Sequence, residues 1–270
     1  GIDLSQTLAE GFHHLAVTAS GSTATFYGDG VKLGSMKVRQ PVLRLNGTTD
    51  GIDVPAHPSP TAAITASVSA RSAAATWNAS AAFVCKRDAF MLIPVAASKK
   101  VQFHVWLSGQ GVKFVEYAVA DITAWHTYTG TFDGSTIRLY VDGELVVTQA
   151  VTASPINASS GPLCLGYDPT TNAYLSGDLA EVEIWSVARK ASEVRDDASR
   201  SPGGSEANLL AYFRMETSDE GGVRKVKDLT SNARHGVVKG APQDAAILLL
   251  RPLDLKYLGN LPAGGCPIGR

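Results

Sequence analysis

Two stretches of the chain, residues 11–30 and 124–143, carry the same pattern at a constant offset of 113 positions. Each copy alternates apolar and polar residues on both sides of a polar Gly-Ser turn and ends at Asp-Gly, a pattern that predicts a β-hairpin. A chain that contains this hairpin twice is expected to build an antiparallel sheet. Eight aligned positions are identical: His13/His126, Thr18/Thr131, Gly21/Gly134, Ser22/Ser135, Thr23/Thr136, Tyr27/Tyr140, Asp29/Asp142 and Gly30/Gly143.

Composition supports a β protein and excludes several classes of partner. Hydrophobic residues make up 44% and charged residues 18% of the 270 positions, and the abundant Thr, Val, Ala and Ser favour a sandwich over a helical or disordered chain. The net charge is -1 and the basic residues are scattered, so neither nucleic acid nor an anionic membrane is an expected partner. No run reaches the roughly 18 apolar residues of a membrane span.

Short strand-like runs recur along the chain with turn residues between them, as in VLRLNG, AAITASVSA, FMLIPVA, VQFHVWLSG, VKFVEYAV and LAEVEIW. This spacing predicts an all-β sandwich or jelly roll. One short helix is expected in SVARKASEVRDDASRSPGG, after the strand that ends at Trp185. There Ser192 can cap the helix, and Pro202-Gly203-Gly204 stops it.

Five further segments occur in order along the chain: LRLNGTTDGIDVP, FVCKRDAFMLI, WHTYTGTFDGSTIRLYVDGELV, LCLGYDPTTNAYLSGDLAEVEIWSVARKASEV and LLAYFRM with DLTSNARHG. Together they resemble the laminin-G-like, concanavalin A-like jelly-roll superfamily that also contains the pentraxins. The resemblance covers about 42–240. It implies a two-sheet antiparallel jelly-roll sandwich that frequently binds Ca²⁺ at one edge and glycan or protein ligands through loops at its rim.

The resemblance also implies two candidate calcium sites, because Ca²⁺ takes oxygen ligands from loops that wrap the ion. In pentraxin-like members the ligands follow a Lys-Arg pair and a Leu-Gly strand end, which here places Asp88, Asp168 and Asn172 at one edge. The second candidate is Asp228 with Asn232, in a loop that faces the turn between residues 46 and 53. The alternative at both places is an ordinary turn in which Asp and Asn bind their own backbone.

Aromatic residues in or beside predicted loops are candidates for stacking on sugar rings. Tyr167, Tyr174 and Trp77 have such positions, with core packing as the alternative. For Trp106, Trp125 and Trp185, which lie in periodic strands, the core is the expected location.

An acidic group in GDLAEVEIW invites comparison with laminarinase-type glycoside hydrolases, which share the sandwich. Glu181 and Glu183 lie on one strand face, as a pair of catalytic carboxylates would. However, the third carboxylate, Asp178, lies on the wrong side of the pair for the hydrolase motif. The sequence therefore predicts no catalytic residues, and an enzyme is the least favoured class.

The cysteines and the glycosylation sequons bear on the location of the protein. Cys85, Cys164 and Cys266 are too few for a disulfide framework; two buried thiols are expected, and one bridge plus a free thiol is the alternative. Sequons begin at Asn46, Asn78 and Asn157, which favours an extracellular or cell-surface protein.

Three segments follow from the pattern: 1–40, a hairpin from a preceding or exchanged repeat; 41–240, the laminin-G-like domain; and 241–270, an extended C-terminal arm. The favoured function is a non-catalytic recognition module that binds glycan or protein through rim loops, with Ca²⁺ as a candidate cofactor. The alternative is a structural repeat of a large homo- or hetero-assembly, whose terminal arms pack on neighbours.

Overall fold

The structure is a computed structural model that describes residues 14–20, 23–37, 39–55, 59–199 and 201–248. Contacts define two units: a larger one that spans residues 41–246, and a smaller one that includes the strands before it. No helix in these ranges is long and apolar enough to cross a membrane. The predicted C-terminal arm begins with strand Gln243–Leu248, whereas 249–270, including Cys266, lies outside the described residues.

The described strands pair antiparallel in both units. The smaller unit is a sheet of β1 (Leu15–Ser20), β2 (Thr23–Gly28) and β3 (Val31–Lys37), in that order. The further strands are β4 (Arg39–Asn46), β5 (Gly51–Val54), β6 (Ile64–Ser72), β7 (Val84–Lys86), β8 (Phe90–Pro94), β9 (Lys100–Leu107), β10 (Gly111–Ala118), β11 (His126–Phe132), β12 (Thr136–Val141), β13 (Glu144–Ala150), β14 (Leu163–Leu165), β15 (Tyr167–Asp168), β16 (Ala173–Tyr174), β17 (Ser176–Trp185), β18 (Leu209–Glu220), β19 (Val223–Asp228), β20 (Gly236–Lys239) and β21 (Gln243–Leu248).

Most strands of the larger unit form one hydrogen-bonded path that folds back on itself, while β4 pairs with β17 beside this path and β15 and β16 form a separate two-stranded sheet. Its order is β10-β9-β8-β7-β14-β5-β20-β19-β18-β17-β6-β11-β12-β13. The two ends of the path face each other, since β10 contacts β12 and β13, and β9 contacts β12. Two layers of antiparallel strands therefore enclose one core, and the predicted jelly-roll sandwich is confirmed.

Strand β9 shows how the sequence assigns side chains to the two faces. Its buried positions alternate with more exposed ones, because successive side chains of a strand point to opposite faces. The inward set consists of Val101, Phe103, Val105 and Leu107, which belong to the main core. The other set, Lys100, Gln102, His104 and Trp106, lies on the face that points away from the core.

Both copies of the repeated hairpin form. Leu15 pairs with Gly28 in the first copy and Tyr128 pairs with Val141 in the second, so the register is the same at the offset of 113. The Asp-Gly turns of both copies have positive φ at both central residues, as a type I′ hairpin turn requires.

The predicted helix, α1, spans Ala191–Ser199. Its predicted cap is wrong, because Ser192 lies inside the first turn. Instead, the carboxylate of Glu193 accepts a hydrogen bond from the backbone N–H of Lys190 at 2.7 Å. A side chain that reaches back to the residue before the helix satisfies one of the exposed N–H groups at its start.

Candidate ligand-binding face

One row of side chains crosses six strands on the face that points away from the core, called here the outer face. Residues directly paired in an antiparallel sheet project from the same face. Since His104 points away from the core, its paired neighbours do so as well. The row, from β10 to β5, is Phe114, His104, Met91, Cys85, Cys164 and Asp53.

Part of the outer face is already covered by the protein itself. Cys85, Met91, Ile93, Cys164 and Tyr167 form a second apolar cluster, separate from the main core, and we call this region the covered half. The cysteines are buried free thiols, as expected, and burial raises the pKa of Cys164 to about 11. The covered half is therefore part of the scaffold.

Tyr167 forms the roof of the covered half. Its ring lies over Gly51, where a Cβ atom would come within 2.4 Å of the ring, so only glycine permits this approach. Its hydroxyl donates to Asp53, and burial raises its pKa well above the usual range. Tyr167 is 2% exposed, so the prediction that its ring is open to a ligand is wrong.

Trp77 and Tyr174 occupy different environments. Trp77 is 1% exposed and packs edge-on against Phe83 at 5.1 Å between ring centroids, so its predicted exposure is also wrong. The loop that carries it turns inward to the main core. Tyr174 stays half-buried, stacks on Tyr167 at 5.5 Å, and borders the covered half.

The rest of the outer face carries partly exposed rings. Phe114 is 44% exposed and stacks on His104 at 4.8 Å, with an interplanar angle of 18°. Trp106 lies 5.8 Å from His104 and is half-buried, so its predicted core location is wrong. These three residues, with Gln102 and Glu116, define the open half.

Sequence alternation contained the signal for this location. Residues 101, 103, 105 and 107 are all apolar, which assigns residue 106 to the opposite face together with Gln102 and His104. Its place in a periodic strand suggests the core, but only the phase of the alternation shows which face it occupies.

Hydrogen bonds fix the polar side chains at one end of the open half. Lys100 lies 2.7 Å from Glu116, and the Gln102 amide donates to the same carboxylate at 2.6 Å. These contacts hold the pKa of Glu116 below its usual value. The carboxylate stays charged, so it remains an acceptor for further hydroxyl donors.

His104 is the neutral member of this network. Burial, with a smaller contribution from the nearby Arg87 guanidinium, lowers the pKa of His104 to about 4. Its Nε2 lies 2.7 Å from the Gln102 carbonyl oxygen, which can only accept. Nε2 therefore carries the proton, and Nδ1 is the acceptor nitrogen.

At the other end of the open half, the Arg87 guanidinium lies over the Trp106 ring, 5.9 Å from the ring centroid. It donates a hydrogen bond to Asp168 at 3.2 Å. Asp168 also accepts from the backbone N–H of Thr170 and from the Thr171 hydroxyl. The side chain of Asp88 is 71% exposed and lies 3.9 Å from Arg87. Both carboxylates thus surround a guanidinium.

That arrangement bears on the first predicted calcium site. The predicted ligands Asp88 and Asp168 both contact the Arg87 guanidinium, and Asn172 is an exposed turn residue with φ of 52°. Within the described part of the chain, no group of three or more His, Cys, Asp or Glu residues has the geometry to hold a metal. The local geometry matches the ordinary-turn alternative.

The second predicted calcium site has the same character. Asp228 accepts hydrogen bonds from the backbone N–H groups of Tyr212, Thr230 and Arg234, and from the Thr230 hydroxyl. The Asn232 amide donates to the backbone carbonyl of Leu210 at 2.9 Å. Asp228 thus forms an Asx turn with Thr230, and both side chains also fasten the loop to strand β18.

The acidic pair of strand β17 lies on the other sheet. Glu181 and Glu183 share a face, as predicted, but both are buried. The Tyr212 hydroxyl donates to Glu181, and the indole N–H of Trp185 donates to Glu183 at 3.1 Å. Asp178 instead pairs with Arg44 and Arg71, so the three carboxylates do not form one site.

Comparisons with known proteins agree with this architecture. A family model described as the concanavalin A-like lectin/glucanases superfamily matches residues 45–195. A candidate carbohydrate-binding protein from Bacteroides ovatus is similar over 83% of this chain and 68% of its own, at a TM-score of 0.60 and 14% identity. A heptameric SAP-like pentraxin from Limulus polyphemus is similar over 79% of this chain and 96% of its own, at a TM-score of 0.52 and 12% identity. No curated protein sequence matches the chain.

Proposed function

We propose that this chain, which belongs to the concanavalin A-like lectin/glucanase superfamily, is a non-catalytic module that binds carbohydrate on the open half of its outer face. The observation that carries the proposal is the continuous arrangement of Phe114, His104 and Trp106 beside fixed polar groups. Sugar rings present apolar C–H faces that pack on aromatic rings, and hydroxyls that need directed donors and acceptors.

The proposed site differs from the rim loops that the sequence predicts. Tyr167 and Trp77 are buried, whereas Tyr174 borders the same outer face and remains a candidate contact. The likeness in fold to a candidate carbohydrate-binding protein is consistent with this class of ligand. We place the module outside the cell, as the three sequons predict.

This mode of binding requires no Ca²⁺. The contacts come from aromatic rings and from side chains that are already hydrogen-bonded, and the predicted ion ligands Asp168 and Asp228 bind donors of the protein. We therefore expect chelator to leave both ligand affinity and the melting temperature unchanged.

A glycan array probed with the purified chain, with Ca²⁺ and again with chelator, tests the proposal. We expect binding to a defined sugar class in both conditions, reduced about tenfold or more by Trp106→Ala. Trp125→Ala is the matched control, because Trp125 is also half-buried but pairs with Arg71 rather than with the open half. A blank array would refute the proposal, and binding only with Ca²⁺ would return the site to the predicted edge loops.

A structural role in a repeat assembly is the second candidate. The smaller unit repeats the register of the hairpin β11–β12 and the Asp-Gly turn that follows it, which is what a chain built from related units would contain. If the terminal segments pack on neighbouring subunits, deletion of 245–270 should reduce self-association in sedimentation velocity. Unchanged sedimentation would count against this role.

A further inference from the structure

We infer that the ligand of the open half is a neutral oligosaccharide, bound along strand β9, and not an acidic or sulfated one. This inference rests on the proposed function and adds the chemical class of the sugar. Its basis is the state of the charged side chains around the open half, where the cations Lys100 and Arg87 already have carboxylate partners.

Three close ion pairs lie along the row that runs from β10 to β5. Lys100 lies 2.7 Å from Glu116, Arg87 lies 3.2 Å from Asp168, and Lys239 lies 3.4 Å from Asp53. The remaining acid, Asp88, adds negative charge beside Arg87. Together these residues carry no excess of positive charge with which to attract an anion.

Arg87 is the cation nearest to the aromatic rings, and its guanidinium is already engaged. One of its N–H groups donates to Asp168 and contacts the Met91 sulfur, and the guanidinium lies over Trp106. A ligand carboxylate or sulfate that recruited Arg87 would leave the buried Asp168 without its cation. Removing one member of such a pair is strongly unfavourable.

Neutral hydroxyls fit the same groups without displacing any pair. A sugar hydroxyl both donates and accepts, so it can donate to the Glu116 carboxylate or to Nδ1 of His104, and accept from the Lys100 ammonium. Because the pKa of His104 is about 4, the ring brings no charge to the face at neutral pH. Paired ions and a neutral imidazole together suit an uncharged polyol.

The length of the open half favours several sugar units over one. Gln102 and Trp106 lie four residues apart on β9, a distance of about 13 Å at about 3.3 Å per residue. The aromatic rings lie between the Lys100–Glu116 pair and the Arg87–Asp168 pair. A single pyranose ring cannot contact both ends, whereas a short linear oligosaccharide can.

Titration calorimetry with neutral hexose tetra- to hexasaccharides, and with uronic-acid oligomers of the same lengths, tests the inference. We expect a neutral oligomer to bind with less than about a twofold change in Kd between about 0.05 and 0.5 M NaCl, because no net ion pair forms. Uronic-acid oligomers should bind about tenfold more weakly or not at all. Trp106→Ala and Trp125→Ala serve as the affected and the control variant.

The variant Asp168→Asn sharpens the test, because it releases the Arg87 charge while an amide oxygen still accepts from Thr170. We expect it to gain affinity for uronic-acid oligomers and to keep its affinity for neutral ones. Tight, salt-sensitive, Trp106-dependent binding of uronic-acid oligomers to the unmodified chain would overturn the inference and leave the proposed function intact. Binding of neither kind would overturn both.

Discussion

The two copies of the repeated hairpin have the same backbone design in different surroundings. Each has a register shift on its middle strand at the same place, between Phe26 and Tyr27 in the first copy and between Leu139 and Tyr140 in the second. In each, the aspartate just before the Gly of the turn accepts a hydrogen bond from a backbone N–H at the start of the hairpin, from His14 at 2.9 Å and from Thr127 at 2.8 Å. Local sequence alone therefore specifies strand pairing, bulge and turn.

The copies differ in what their apolar faces meet. The second copy joins β6 and buries Tyr128, Phe132, Ile137 and Leu139 in the main core. At one matched position, the first copy has Val17, which is 58% exposed, and the second has Gly130, packed against the Phe103 ring. Local sequence thus determines the backbone of the hairpin, whereas the opposing sheet determines which residues fit on its inner face.

Giving the second copy the residue of the first at this position tests the packing explanation most directly. In Gly130→Val, a Cβ atom would lie 2.2 Å from the Phe103 ring, which the close-packed core cannot accommodate. We expect the free energy of unfolding to fall by about 3 kcal/mol in urea titrations. Val17→Gly is the matched control and should change it by less than about 1 kcal/mol. Equal effects of the two variants would refute the packing explanation.

A second comparison uses the turn glycines. Gly30 and Gly143 have φ of 80° and 83°, so alanine is strained at both and costs about 1 kcal/mol. At Gly143 a Cβ atom would also lie 2.9 Å from the backbone of Arg195 in helix α1, whereas no described atom lies within 4 Å at Gly30. Gly143→Ala should therefore lower the melting temperature more than Gly30→Ala. A larger loss at Gly30 would contradict the role assigned to the helix.

Protonation of His126 should make a small, pH-dependent contribution to the free energy of unfolding. Both ring nitrogens of His126 lie 2.7 Å from acceptors, the Asp142 carboxylate and the Asp121 carbonyl, and the carboxylate raises the pKa of His126. A raised folded-state pKa stabilises the fold below the unfolded value of about 6.5, and the contribution is lost as pH rises through the folded value.

We therefore expect the free energy of unfolding to decrease by about 0.5 kcal/mol as pH rises from about 6 to about 9. The variant His126→Gln should lack this part of the slope. An unchanged slope would show that the pair contributes nothing. The equivalent residue of the first copy, His13, lies outside the described residues.

Local patterns account for what the sequence predicts correctly. The hairpins, the short helix and the sandwich follow from alternation and turn residues within a few positions of one another. The candidate site was harder, because the burial of Trp77 and Tyr167 depends on loops that fold onto distant strands. Trp106 is the exception: its place in a periodic strand suggests the core, whereas the phase of the alternation assigns it to the outer face.

The hydrogen-bonded chain Lys100–Glu116–Gln102–His104 has a consequence for the entropy of binding. These side chains already occupy fixed rotamers, so a ligand that docks on them immobilises few additional torsions. Ordering a free side chain at an interface costs about 0.5–1.5 kcal/mol. The open half thus avoids most of that cost for each member of the chain, and its affinity should be lost mainly through faster dissociation when one of these hydrogen bonds is removed.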